Sequence, residues 1–189
     1  KAFYTATYSP TIGSIVAVSD QPQDVLVDKL AVFGQWDGEE VGIAQLAEFP
    51  DIGKTRIYLV DKPGAAQSEI RFGKRALKYD ATGEYYRASL MNFTLGGNFN
   101  SRINLNLREE KGYTYGAFAV FGGTRDYGTY TAQAAVRTDT TADSIVQFEN
   151  ELRAYAEGGI TEPELSYTRK AIGQRDARNY ETPGQKLGF

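Results

Sequence analysis

The sequence predicts an α+β fold, a two-layer sandwich with a largely antiparallel sheet covered by helices on one face. Three observations predict it. Apolar residues repeat with period two in some segments and at helical spacing in others. The segments run strand, helix, two strands, two helices, two strands, two helices, which is not the strict alternation that builds a parallel sheet. Two of the strand-like runs flank only Gly123-Thr124-Arg125-Asp126, a hairpin connection.

The elements follow in chain order. Gly13 to Ser19 mixes small and β-branched residues as a buried strand does. Asp20 and Pro22 supply a cap and a first-turn proline for a helix running to about Trp36, with Val25, Leu26, Leu30 and Phe33 on its apolar stripe. Glu39 to Gly53 is weakly periodic and reads as a loop. Arg56 to Asp61 and Gln67 to Arg71 are strand-like on either side of Lys62-Pro63-Gly64, and the second puts Ser68, Ile70 and Phe72 on one face.

Glu84 to Leu95 is helical, with Ala88, Met91 and Leu95 on a stripe and Gly96-Gly97 as a left-handed cap. A further helix starts at Asn98 or Asn100 and ends at Lys111, before Gly112. Tyr113 to Gly122 and Tyr127 to Arg137 form the hairpin. Alternation puts Phe118 and Val120 opposite Tyr113, Tyr115 and Ala117, and it puts Tyr130, Ala132, Ala134 and Val136 opposite Thr129, Thr131 and Gln133. Thr140 or Thr141 caps a helix over Ala142 to Glu157, closed by Gly158-Gly159, and Thr161-Glu162-Pro163-Glu164 is a capping box that opens a last helix toward Tyr180.

Composition bounds the function. The 189 residues suit a single domain, and the chain reads as a piece excised from a longer multi-domain protein, since it starts Lys1-Ala2-Phe3 and stops at Gly188-Phe189. With 21 basic and 24 acidic residues and no basic stripe, nucleic acid is not an expected partner. No run approaches the roughly 18 apolar residues of a membrane span. The absence of histidine and cysteine excludes imidazole bases, thiolate catalysis and zinc sites built on either residue. Cysteine-free composition fits a bacterial periplasm, as it fits many cytosolic or organellar proteins.

Chemistry gathers at Leu107 to Gly116. Arg108 ends a helix, where a cation stabilises the negative pole by about 0.3–1 kcal/mol. Tyr115 lies seven residues on, past the Gly112 reversal, so guanidinium and phenol can converge as two donors suited to a carbonyl oxygen or an oxyanion. Glu109 and Glu110 read as a solvated face. Gly96-Gly97 follows a helix and lacks the Lys-Ser or Lys-Thr of a phosphate loop. The 13 tyrosines allow an aromatic-lined cleft or ordinary strand packing.

Leu95-Gly96-Gly97-Asn98-Phe99-Asn100-Ser101-Arg102-Ile103 with Leu107-Arg108-Glu109-Glu110-Lys111-Gly112-Tyr113-Thr114-Tyr115 resembles the signature of the non-zinc half of pitrilysin/insulinase-type peptidases, the inverzincins. Tyr8-Ser9-Pro10, Val16 to Asp20, Phe33-Gly34-Gln35-Trp36 and Asp61 to Ser68 extend the resemblance over nearly the whole chain.

The resemblance implies a processing-peptidase-like fold and a clamshell of paired domains around a peptide. One half carries a zinc motif, and the other supplies an arginine and a tyrosine to the substrate backbone. It places those catalytic and substrate-binding roles on Arg108 and Tyr115 and reads Tyr113 as packing. It implies no cofactor in this chain, zinc in a partner domain of the same or another chain, and peptide as substrate. Alone, the chain should be inactive. The competing readings are a catalytically inactive scaffold or partner subunit of the same family, and a small-ligand module.

Overall fold

A computed structural model of the protein describes residues 1–43, 46–50 and 52–187. The chain end at Gly188-Phe189, and residues 44, 45 and 51 of the expected loop, lie outside the described residues. The chain forms two compact units, Lys1–Asp51 with Ile172–Phe189, and Ile52–Ala171.

In the first unit, α1 (Ala2–Thr7) precedes a 3-10 turn at Pro10–Ile12. Helix α2 (Gln23–Leu30) winds on as a 3-10 turn to Gln35, and the Trp36 N–H closes it on the Phe33 carbonyl at 3.1 Å. The expected helix is therefore present, but it starts at Gln23 and not under an Asp20 cap, because Pro22 is still extended with ψ of 147°. Gly13 to Ser19 is not the buried strand its composition predicts: it joins no ladder among the described residues, and Val16 is 70 % exposed. A strand exists only where another segment takes up its N–H and C=O groups.

The second unit holds the sheet, in the order β1 (Gln67–Ala76), β3 (Gly128–Arg137), β2 (Thr114–Gly123), antiparallel throughout. Ile70 faces Ala134, which faces Ala117, and Phe72 faces Ala132, which faces Ala119. These residues form the covered face, and Gln133, Thr131 and Thr129 form the open one, as the alternation in the sequence predicts. Small alanines at its centre let the helices approach closely.

Helix α3 (Glu84–Leu95) and the segment beginning with α4 (Arg102–Asn104) lie on β2, and α5 (Thr141–Gly158) lies on β3 and β1. Ile103, Leu107, Val136 and Phe148 are almost wholly buried between them. Burying one such side chain is worth about 1.5–3 kcal/mol.

Arg56 to Asp61 is the second expected strand that does not form. Ile57 and Leu59 are each 91 % exposed. The segment leads into a turn in which the Ala65 N–H donates to the Lys62 carbonyl at 3.1 Å, with Pro63 second and Gly64 third at φ of 76°. That is type II geometry, whose twist splays flanking strands instead of pairing them.

The outer edge of β2 is sealed by one backbone carbonyl and several side chains of the segments packed on it. The Ala119 N–H donates to the Gly96 carbonyl at 2.8 Å, and Asn92 Nδ2 donates to the Ala119 carbonyl at 2.7 Å. Two residues earlier the Ala117 N–H donates to Asn104 Oδ1 at 2.9 Å, and two residues later the Tyr85 hydroxyl donates to the Phe121 carbonyl at 2.9 Å. These bonds occupy edge groups that an added strand would otherwise use.

The same contacts revise two expectations for α3. Its buried stripe runs through Asn92 and Leu95 while Met91 is 53 % exposed, because the Asn92 bonds set the rotation of the helix. Gly96 has φ of −157°, so it is not a left-handed cap; a Cβ there would lie 2.5 Å from the Ala119 Cβ. Glycine is required for close approach.

Helix α5 ends as expected, with Gly159 at φ of 66°. The capping box opens α6 (Glu162–Arg178), where Glu164 Oε2 accepts from the Thr161 N–H at 2.8 Å. A short α7 (Pro183–Leu187) follows. Arg102 holds Glu164 with two bonds, Nε to Oε1 at 2.5 Å and Nη2 to Oε2 at 2.6 Å, and Nη2 also donates to the Gly159 carbonyl. This guanidinium, followed by the Thr161 bonds, lowers the Glu164 pKa from 4.5 to about 2.

A depressed carboxylate pKa stabilises the fold fully above the unfolded value and loses that contribution as pH falls. Unfolding free energy followed by urea titration should therefore drop as pH falls from 4.5 to about 2. Glu164→Gln should be less stable at neutral pH and should flatten that part of the profile; an unchanged profile would disprove the assignment.

Candidate functional site

The segment that carries the expected site is irregular at both ends. Helix α4 widens after Asn104 into a π turn over Leu105–Glu110. The Lys111 N–H reaches back five residues to the Asn106 carbonyl at 2.9 Å, and the Tyr113 N–H reaches six to the Leu107 carbonyl at 2.9 Å. Gly112, at φ of 65°, makes the left-handed reversal between them, which a Cβ disfavours. The expected helix end at Gly112 is thus correct, although the winding before it is wider than an α-helix and the start at Arg102 is later than Asn98 or Asn100.

Arg108 projects from the π turn. Its guanidinium lies 4.1 Å from the centroid of the Phe99 ring, and Nη1 donates to Glu109 Oε1 at 2.7 Å. A half-exposed pair of this kind holds by no more than about 1 kcal/mol, so a ligand can displace it.

Tyr115 sits where β2 slips register. Thr114 faces Val136 and Ala117 faces Ala134, so one extra residue lies on β2. Thr114 Oγ1 stabilises this bulge, donating to the Ala135 carbonyl at 2.7 Å and accepting from the Gly116 N–H at 3.1 Å. The bulge turns Tyr115 out: it is 93 % exposed, and its hydroxyl has no hydrogen bond among the described residues. Tyr115 and Ala117 therefore do not share a face as plain alternation predicts, because a bulge resets the period.

The structure brings Arg108 and Tyr115 to either side of one reversal, and no hydrogen bond joins them among the described residues. Tyr113 packs against the core, as expected, and also donates its hydroxyl to Asp143 Oδ2 at 2.7 Å. Phe99, Asn104 and Asp143 were not singled out from the sequence. Phe99 lies inside the quoted motif, but no local signal connects Asp143 to a tyrosine 30 positions away.

Other readings lose their basis. Gly96 is packed on Ala119 and offers no phosphate cradle. The Tyr85 hydroxyl is spent on the sheet edge. Tyr130 donates to Asn92 Oδ1 at 3.3 Å, and burial pushes its pKa up to about 12, so it lines no cleft. Without histidine or cysteine the chain offers neither of zinc's usual ligands, and the described residues contain no cluster of three potential ligands.

A family described as "Peptidase M16 inactive domain" matches residues 1–172. An uncharacterised zinc protease of Streptomyces coelicolor is 31 % identical over 181 residues, covering 92 % of this chain and 38 % of its own. A protease from Helicobacter pylori aligns with a TM-score of 0.75 at 17 % identity, over 90 % of this chain and 42 % of its own. A conserved protein from Enterococcus faecalis V583 aligns with a TM-score of 0.71 at 20 % identity, over 89 % and 39 %. The two structures share the fold, and this chain spans about two fifths of the length of each of the three relatives.

Beyond its chain neighbours, no described atom lies within 4 Å of where a Cβ on Gly112 would stand, so a substitution there meets the left-handed backbone and not a clash. Gly112→Ala should cost about 1–2 kcal/mol in chemical unfolding through torsional strain. Unaltered stability would show that the reversal does not depend on glycine.

Proposed function

Because the chain belongs to the peptidase M16 inactive-domain family, we propose that it is the non-zinc, substrate-binding domain of a longer zinc metallopeptidase, in which Arg108 and Tyr115 hold the backbone of a peptide substrate. One observation carries this reading. A tyrosine 93 % exposed, with its hydroxyl unengaged, stands on a bulge directly after the reversal that presents a loosely held arginine. Both groups donate hydrogen bonds, and the guanidinium has no acceptor of its own.

In this role Arg108 leaves Glu109 for a peptide carbonyl, and the Tyr115 hydroxyl donates to a second carbonyl or to the oxyanion that develops at the scissile bond. An extended peptide offers such acceptors whatever its side chains. The open sheet face beyond, with Thr129, Thr131 and Gln133, supplies polar surface, while Phe118 and Val120 at its β2 side, 47 % and 48 % exposed, supply apolar surface. The zinc chemistry, activation of water and polarisation of the scissile carbonyl, belongs to a domain outside this chain.

The test uses the complete protein that contains both halves, with a fluorogenic peptide. Arg108→Ala and Tyr115→Phe should each lower kcat/KM by on the order of 100-fold, with bound zinc unchanged by metal analysis. Values matching the wild type, or a complete protein with zinc but no peptidase activity, would reject the reading in favour of a scaffold.

A further inference from the structure

The loop that joins the two donors is itself barely packed. Glu109, Glu110, Lys111 and Gly112 are all exposed, and beyond its chain neighbours no described atom lies within 4 Å of where a Cβ on Gly112 would stand. The relation between Arg108 and Tyr115 must be fixed from the flanks of the reversal.

Both flanks are tied to one stripe of α5. On the strand side, Tyr113 is held from several directions. Its N–H donates to the Leu107 carbonyl, its carbonyl accepts from the Arg137 N–H at 3.0 Å, and the Arg137 guanidinium lies 5.9 Å from its ring centroid. Its hydroxyl donates to Asp143 Oδ2 at 2.7 Å. On the helix side, Asn106 Nδ2, two residues before Arg108, donates to Gln147 Oε1 at 3.3 Å and to Glu151 Oε1 at 2.8 Å. Gln147 closes the circuit by donating Nε2 to Asp143 Oδ1 at 3.2 Å. Asp143, Gln147 and Glu151 are spaced four apart, so they stand one above another on a single helical face.

We infer that Tyr113 and Asp143 are positioning residues for the substrate-binding pair: their hydroxyl-to-carboxylate bond pins the Gly112 reversal to α5 and so sets where Tyr115 stands relative to Arg108. The inference rests on the proposed function. Neither residue touches the peptide. Two details agree with a bond of consequence. The Tyr113 hydroxyl holds the Asp143 carboxyl below its ordinary pKa, with Gln147 assisting, and Asp143 in turn raises the Tyr113 pKa. Tyr113 also keeps a polar tip where ring packing alone needs none.

The experiment is a mutant cycle on peptide cleavage by the complete protein. Tyr113→Phe keeps the ring and removes the bond. Asp143→Leu removes the acceptor, while Asp143→Asn keeps an acceptor oxygen. The clamp predicts that Tyr113→Phe and Asp143→Leu each lower kcat/KM by on the order of tenfold to a hundredfold, since small misplacements of binding groups have effects of that size. It predicts that Asp143→Asn stays near wild type, and that Tyr113→Phe adds almost nothing once Arg108→Ala is present.

An equal loss from Tyr113→Phe with and without Arg108 would mark a merely structural residue and overturn the clamp. So would unchanged kcat/KM in Tyr113→Phe where Arg108→Ala lowers it. If Arg108→Ala itself has no effect, the functional reading fails, and the clamp fails with it.

Discussion

The bond from the Ala119 N–H to the Gly96 carbonyl is the contact on which the second unit turns. It joins the outer edge of the sheet to the junction between α3 and α4, and backbone can come that close only if the junction has no side chain. Gly96 meets that requirement, and the alanines at 117, 119, 132 and 134 meet it from the sheet side. Asn92 and Asn104 complete the seal, so the edge strand is satisfied by its own helices. The position of the helix that carries Arg108 follows from this arrangement.

Beyond that seal the backbone departs from regular geometry twice within a few residues, as a π turn and then as a bulge. Regular winding and regular alternation would place Arg108 and Tyr115 differently: a strict strand directs residue 115 to the same side as Ala117, which is buried. Wider winding and one extra strand residue instead leave a tyrosine in solvent and an arginine resting on Phe99. Irregular backbone supported by a rigid layer is where binding groups are commonly displayed.

The fold class, the hairpin, α3, α5 and the Thr161 to Glu164 capping box were all legible in the sequence, because each rests on local periodicity or on a cap written in adjacent residues. Gly13 to Ser19 and Arg56 to Asp61 mislead because a strand is a property of a pair: β-branched composition says a segment can join a ladder, not that one is available. Gly96 is legible as special, but not the reason for it, since close approach and left-handed φ look alike in one letter. At the candidate site, Arg108, Gly112 and Tyr115 are visible as a motif. The bulge that turns Tyr115 outward and the Asp143 carboxylate that receives Tyr113 depend on register and on distant packing, which no local signal encodes.

The proposed role of Arg108 and Tyr115 is to act on peptide backbone in partnership with a zinc-bearing domain outside this chain. The most direct measurement is a crystal structure of the complete protein, inactivated at its metal site, with a peptide bound. In that role the Arg108 guanidinium and the Tyr115 hydroxyl lie within hydrogen-bonding distance of main-chain oxygens of the peptide, with Arg108 released from Glu109. A bound peptide that leaves Tyr115 in solvent and Arg108 on Glu109 would contradict it.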